Sequence, residues 1–261
     1  MSSAVPNRSV VREDLGGGFH FVADGTSEAI IGSGLPDGYE MWLTPASVNA
    51  RNRAELAAWV EHRAHGADAR LRGVDQVHGT IVLDGAELRD GRRREADGVS
   101  ASSADDIPVV MAADCAPVWL ADVFARVFVL VHAGWRGVRR GIIEAGVRSL
   151  TSHGGRPECA VAAIGPHLQA CCFEVGPEVA EQFPGFTQPA STLVVERHRS
   201  DSVALDLAAS IAAALHGAGV HTISICEACT RCRADLLHSY RRNGKGGPLM
   251  AALALLPQAG L

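Results

Sequence analysis

Three short segments carry side chains of the kind that bind a metal or attack a carbon centre: Gln-Val-His78-Gly, Ala-Asp-Cys115-Ala-Pro-Val and Val-His132-Ala-Gly-Trp-Arg-Gly. One thiolate and two imidazoles suit zinc, and three protein ligands leave a fourth position open, whereas structural zinc sites are normally closed by four. His78, Cys115 and His132 therefore read first as a metal centre for hydrolytic or lyase-type chemistry. The same residues admit a second chemistry, with Cys115 as nucleophile and His132 as its base. If neither applied, Cys115 would be an inert buried thiol. Asp114, beside the cysteine, is placed to steady it, and Arg136, at the expected start of a helix, is placed to contact an anion such as phosphate.

The elements that must position these residues follow from the spacing of apolar side chains. Residues 108–112, 117–121 and 125–131 are short apolar runs and predict buried strands, the last ending at His132. Gly134 to Gly137 then turns into a helix predicted over 138–150, with Val138, Ile142, Ala145 and Leu150 roughly on one face. His78 falls in a strand predicted over 74–83, after a helix over 52–65 and before a charged surface loop over 84–97. Downstream, strands are expected over 160–164, 221–226 and 249–256, a short helix over 177–182 and a longer one over 205–215. Residues 1–50 are glycine-rich and weakly periodic, with one strand-like run at 19–22. No linker divides the chain, so the expectation is one mixed α/β (α+β) domain over residues 1–261, with mixed β-sheets flanked by helices.

At 261 residues and 47% hydrophobic, the chain has ample material for a buried core. A net charge of −5, with no arginine-aromatic stripe to follow a phosphate backbone, argues against nucleic acid as a partner. Residues 1–14 lack the apolar centre of a signal peptide and no run reaches the ~18 apolar residues of a membrane span, so a cytoplasmic protein without a membrane partner is expected. Seven cysteines in a reducing compartment read as ligands or buried thiols rather than a disulfide framework. Cys226, Cys229 and Cys232 form a Cys-x-x-Cys-x-x-Cys run of the kind that begins an iron–sulfur or structural zinc site. No fourth cysteine lies at compatible spacing, so no cluster is expected there. The adjacent Cys171 and Cys172 read as one buried and one surface thiol, and His167, His198, His221 and His238 as ordinary histidines.

Taken in order, Gln-Val-His78-Gly, Asp97-Gly98, Ala-Asp114-Cys115-Ala-Pro-Val, Val-His132-Ala-Gly-Trp-Arg136-Gly, Gly165-Pro166 with Cys171-Cys172-Phe-Glu-Val, Cys229-Thr230 and Ser239-Tyr240-Arg241-Arg242 resemble the YfiH-like family. That family is also called multicopper polyphenol oxidoreductase or laccase-domain, and the motifs lie within residues 74–256. The resemblance implies that His78, Cys115 and His132 ligate zinc in a purine nucleoside phosphorylase acting on adenosine, inosine or methylthioadenosine with phosphate. Adenosine deamination is reported for members, some bacterial members are described as peptidoglycan editing factors, and copper is reported for the family. The residues show no type-1 copper set with an axial methionine. Three stretches depart from the family pattern. The early Thr-Arg-x-Gly-Gly-Val-Ser segment corresponds here to Ala23-Asp-Gly-Thr-Ser-Glu28, the late Thr-Gly-Arg-Met to Gly246-Gly-Pro-Leu249, and the aromatic pair before Ser-Tyr-Arg to Leu236-Leu237-His238. Two family arginines are thus missing, and weaker phosphate binding is expected.

Overall fold

Strands built almost wholly of apolar residues need a covering layer on both faces, and the central strands here, buried at every position, are of that kind. The computed structural model describes residues 10–24, 27–33, 35, 39–64, 70–196 and 198–256. A meander of four strands, β1 (Val10–Asp14), β2 (Phe19–Asp24), β3 (Ser27–Gly32) and β4 (Glu40–Leu43), precedes helix α1 (Arg53–Ala64) and β5 (Leu71–Gly73). Next come β6 (Val82–Asp84), β7 (Gly98–Ala101), β8 (Ile107–Ala112), β9 (Ala116–Asp122) and β10 (Val127–Ala133). Helices α2 (Trp135–Arg140) and α3 (Ile142–Ser152) lead to β11 (Val161–Ile164) and β12 (Glu174–Val175). The remainder comprises α4 (Pro177–Ala180), β13 (Thr187–Gln188), β14 (Val203–Leu205), α5 (Leu207–Gly217), β15 (Thr222–Ile225), α6 (Tyr240–Asn243) and β16 (Met250–Leu255).

Two mixed sheets dominate, one ordered β1-β2-β3-β4-β16-β8-β5 and the other β15-β11-β9-β10-β7-β6, with a small β12-β14-β13 sheet beside them. The two-residue period of a strand sorts the side chains. On β9 and β10, Trp119, Ala121, Phe128 and Leu130 share a core with Phe19, Ile30, Leu43, Met250 and Ala252 of the seven-stranded sheet. Val118, Leu120, Val129 and Val131 face the other way, onto Ile142, Val147 and Leu150 of α3 and Ile211 of α5. Behind the seven-stranded sheet, Trp42, Val109 and Leu253 pack on Leu56, Trp59 and Val60 of α1. The layers run helix, sheet, sheet, helix, the mixed architecture expected.

Several sequence expectations are corrected. His78 is not in a strand: β5 and β6 belong to different sheets, and residues 74–81 cross between them as a loop in which His78 takes a left-handed φ of 58°. The charged stretch 84–97 includes a 3-10 turn, Gly85–Leu88, capped by Asp84. The helix predicted over 138–150 breaks at Gly141, whose φ of 96° is open to glycine at little cost, so α2 ends and α3 starts on the same residue. Residues 10–43, nearly silent in periodicity, supply four strands. Of the departing Ala23–Glu28 stretch, Gly25 and Thr26 lie outside the described residues, as do residues 1–9, Gly34 and His65. No helix among the described residues is long and apolar enough to cross a membrane.

Candidate metal centre

Sheet register builds the centre. In the antiparallel β9–β10 pair His132 faces Pro117 and Ala133 faces Ala116, which brings Cys115, one residue before β9, beside Gly134. In the β7–β10 pair Val131 faces Gly98, which brings Asp97, one residue before β7, beside His132. By the period of two, His132 lies on the same face of β10 as Phe128 and Leu130, the face turned to the other sheet. Cys115 sits in the short link from β8 to β9, and His78 in the crossing loop 74–81; both links span the two sheets at one end of the sandwich.

Asp97 holds the parts together. It is fully buried and accepts the backbone N–H groups of Val77 (3.2 Å), His78 (3.0 Å) and Gly79 (2.6 Å), wrapping the His78 loop around its carboxylate. His132 Nδ1 donates to the same carboxylate at 2.9 Å. A carboxylate only accepts, so Nδ1 carries the proton and Nε2 is left to face the centre, the usual way a ligand imidazole is oriented. The left-handed backbone of His78 costs about 1 kcal/mol, offset by those three amide bonds. Gln76 docks the loop on the other sheet, donating from Nε2 to the Met111 carbonyl (2.8 Å) and accepting its N–H (2.7 Å).

One ligand atom from each of His78, Cys115 and His132 lies within 4.8 Å of the other two, and His78 Nε2 is 3.9 Å from Cys115 Sγ. Bond lengths to zinc of about 2.0 and 2.3 Å at a tetrahedral angle put a ligand nitrogen and sulfur about 3.5 Å apart, so the trio fits one ion with a small closure. Gly134 permits that approach: a Cβ there would fall 2.8 Å from Cys115 Sγ and 2.9 Å from His78 Cδ2. Burial pushes the Cys115 thiol up, but His132 and then His78 outweigh it and hold the thiol at about 6. Burial pulls His132 down, while the Cys115 sulfur and Asp97 raise it to about 9. Without a metal, the pair is thiolate and imidazolium near neutral pH.

The trio lies on a cavity of about 680 Å³, a size that accommodates small molecules. Arg51, Arg93, Arg136 and Arg241 contribute to its lining, as do Trp135, Phe173 and Tyr240. The Arg136 guanidinium stacks 4.3 Å over the Trp135 ring and makes no ion pair among the described residues. Arg93 is committed to Asp75 at 2.6 Å and to the Val74 carbonyl. Asp114 lines the cavity too, but its carboxylate accepts from Thr230 Oγ1 and from the Arg241 N–H, both at 2.6 Å. It therefore fixes the wall carrying Arg241, while the orienting of a ligand falls to Asp97, the role sequence reasoning missed. Arg51 and Arg241 were missed also. Arg241 lies inside a family motif, whereas nothing local marks Arg51. His238 donates from Nε2 to the Val48 carbonyl at 3.0 Å.

Residues 25–256 match the family described as multi-copper polyphenol oxidoreductase laccase. A Deinococcus radiodurans protein named purine nucleoside phosphorylase is 35% identical over 207 residues, 79% of this chain and 77% of its own. A protein named adenosine deaminase RL5, from an unknown prokaryotic organism, is 36% identical over 137 residues, 52% of each chain. Among solved structures, YlmD from Geobacillus stearothermophilus superposes with a TM-score of 0.73 at 22% identity, covering 96% of this chain and all of that one, which speaks for the fold. The chain belongs to the multi-copper polyphenol oxidoreductase, or YfiH-like, family.

Proposed function

We propose that the chain is a zinc-dependent purine nucleoside phosphorylase, acting on adenosine, inosine or methylthioadenosine, with adenosine deamination as a side activity. The observation that carries the reading is the convergence of His78, Cys115 and His132 on a cavity of about 680 Å³ lined by arginines and aromatic rings. The relatives' names supply the substrate class. Two imidazoles and a thiolate are a donor set that zinc and copper share; the reading takes zinc because phosphorolysis moves no electrons. Held by His78, Cys115 and His132, zinc would supply Lewis acidity at the cavity wall.

The chain's own residues do the rest. In phosphorolysis a phosphate oxygen bonds to the ribose C1′ while the bond from C1′ to the base breaks, and the base leaves with the bonding pair and takes up the proton that the phosphate gives up. Arg136, which makes no ion pair among the described residues, and Arg241 are the groups to hold the phosphate dianion, and bidentate guanidinium contacts fix its direction of approach. Trp135 and Phe173 offer apolar faces to a flat base. Protein of measured metal content, incubated with adenosine, should release adenine and ribose 1-phosphate only when phosphate is present; inosine formed without phosphate reports deamination. If metal-replete protein leaves every purine nucleoside unchanged, the reading fails.

One observation favours a second reading. Asp97, His132 and Cys115 also form the acid–imidazole–thiol line of a cysteine nucleophile, with the thiol held at about 6. A metal-bound thiolate resists alkylation. Rapid iodoacetamide modification of Cys115 in metal-replete protein, with loss of an ester- or amide-hydrolysing activity, would put this reading first.

A further inference from the structure

Four cysteines from two distant loops meet outside the cavity. Cys171 and Cys172 lie in the turn before β12, where the Cys172 and Phe173 amides both donate to the Gln169 carbonyl. Cys229 and Cys232 lie in the loop after β15, joined to the first turn by the His167–Cys229 bridge. Cys226, the remaining member of the sequence run, turns away, its sulfur buried 3.7 Å from the Leu15 carbonyl. The fourth thiol that the run lacks in sequence is thus supplied, twice over, from some sixty residues upstream.

The sulfur positions are specific. Cys171 and Cys172 are 3.8 Å apart, Cys171 and Cys232 3.9 Å, Cys172 and Cys232 3.5 Å, and all four sulfurs lie within 4.8 Å of one another. A zinc–sulfur bond of about 2.3 Å at the tetrahedral angle makes each sulfur–sulfur edge about 3.8 Å. A redox pair would show one close contact and outlying partners; here three edges are nearly equal.

From this geometry we infer that Cys171, Cys172, Cys229 and Cys232 form a closed, structural zinc site, separate from the His78–Cys115–His132 centre. Binding releases the thiol protons to solvent and ties the 169–173 turn to the 229–232 loop. That loop runs directly into the cavity wall: Thr230 holds Asp114, and Arg242 donates to the Thr230 carbonyl at 2.9 Å next to Arg241. The inference does not rest on the phosphorylase reading.

The test counts metal in the full chain, purified without a nickel column and supplied with zinc. Wild type should carry about two zinc ions per chain, Cys115→Ala one and Cys232→Ser one. Cobalt-loaded Cys115→Ala should show the intense sulfur-to-cobalt absorption of four thiolates, absent from Cys115→Ala/Cys232→Ser. Cys232 is exposed, so its serine variant should fold, with Tm lower by roughly 5 °C or more. Wild type with a single zinc that Cys115→Ala abolishes would overturn the site. So would metal-free protein carrying a Cys172–Cys232 disulfide by peptide mass, or a tightly bound iron in place of zinc. A single zinc that survives Cys115→Ala would instead uphold this site and remove zinc from the cavity.

Discussion

The chain gathers sulfur twice, and the two places are built on opposite plans. At the cavity, one cysteine and two histidines come from strand ends and links whose mutual register is fixed by the ladders of β7, β9 and β10. The donor set has one member too few to close around an ion, and the missing side opens on a cavity. Beside β12, four cysteines come from two turns, their sulfurs all within 4.8 Å of one another, enough donors to fill a tetrahedral shell. An open position is what chemistry needs, whereas a closed shell holds loops together. Donor count and the scaffold beneath it, rather than the mere presence of thiols, separate a reactive centre from a clasp.

Centre and clasp should not exchange roles. Cys115→Ala should abolish phosphorolysis, with a loss on the order of 10³-fold or more, because several kcal/mol of charge stabilisation goes with the metal. Far-ultraviolet circular dichroism should be unchanged. Cys232→Ser should retain turnover within about tenfold while losing stability. A Cys232→Ser protein as inactive as Cys115→Ala would mean that the division between centre and clasp is wrong.

Acid should separate the two readings of the cavity trio. With Cys115 at about 6 and His132 at about 9 in the metal-free centre, zinc must displace the His132 proton between those values and both protons below the lower one. Apparent affinity at this centre should therefore rise about tenfold per pH unit from 6 to 9 on account of these two groups, more steeply below 6, and level off above 9. Calorimetry in buffers of different ionisation heat, on Cys232→Ser to isolate the centre, should count one released proton at pH 7.5. None released would remove His132 from the ligand set. A smaller loss is expected from Asp97→Asn, which keeps the shape but weakens the acceptor for His132 Nδ1 and for three loop amides. Zinc affinity should drop about 10- to 100-fold; unchanged affinity would show that the His78 loop holds itself.

The same contrast explains what could be read in advance. The core strands were legible because they are short apolar runs bounded by Asp, Cys and Gly, and His132, Cys115 and Arg136 because they sit in dense motifs at those boundaries. The His78 strand was misplaced because residues 74–81 look apolar enough for a strand; only tertiary structure shows them crossing between sheets around Asp97. Asp97 itself is one acid at the end of a charged stretch, and its burial follows from the β7–β10 register, which no local pattern encodes. The four-cysteine group was missed for a related reason. The run 226, 229, 232 suggests three ligands from one loop, yet Cys226 belongs to the inter-sheet core and its replacements come through space. Of the N-terminal meander only the run at 19–22, now β2, was legible, because glycines at 16, 17 and 18, all with positive φ, interrupt the periodicity that strands would otherwise show.

The smallest expected effect concerns the arginines. The chain lacks two that the family pattern carries, which by sequence alone argued for weak phosphate binding. The cavity nevertheless presents Arg136 stacked on Trp135 with no acidic partner among the described residues, and Arg241 held at its amide by Asp114. A charge-assisted bond is worth about 1.5–3 kcal/mol, and Arg136 is exposed, so solvent screening places it near the bottom of that range. Arg136→Ala should raise KM for phosphate about tenfold and KM for nucleoside little. Arg136→Lys should recover only part, since an ammonium cannot reproduce a bidentate, ring-stacked guanidinium. If both KM values rise together, Arg136 shapes the cavity rather than gripping the anion, and Arg241 becomes the phosphate contact to test, through its own split between KM and kcat.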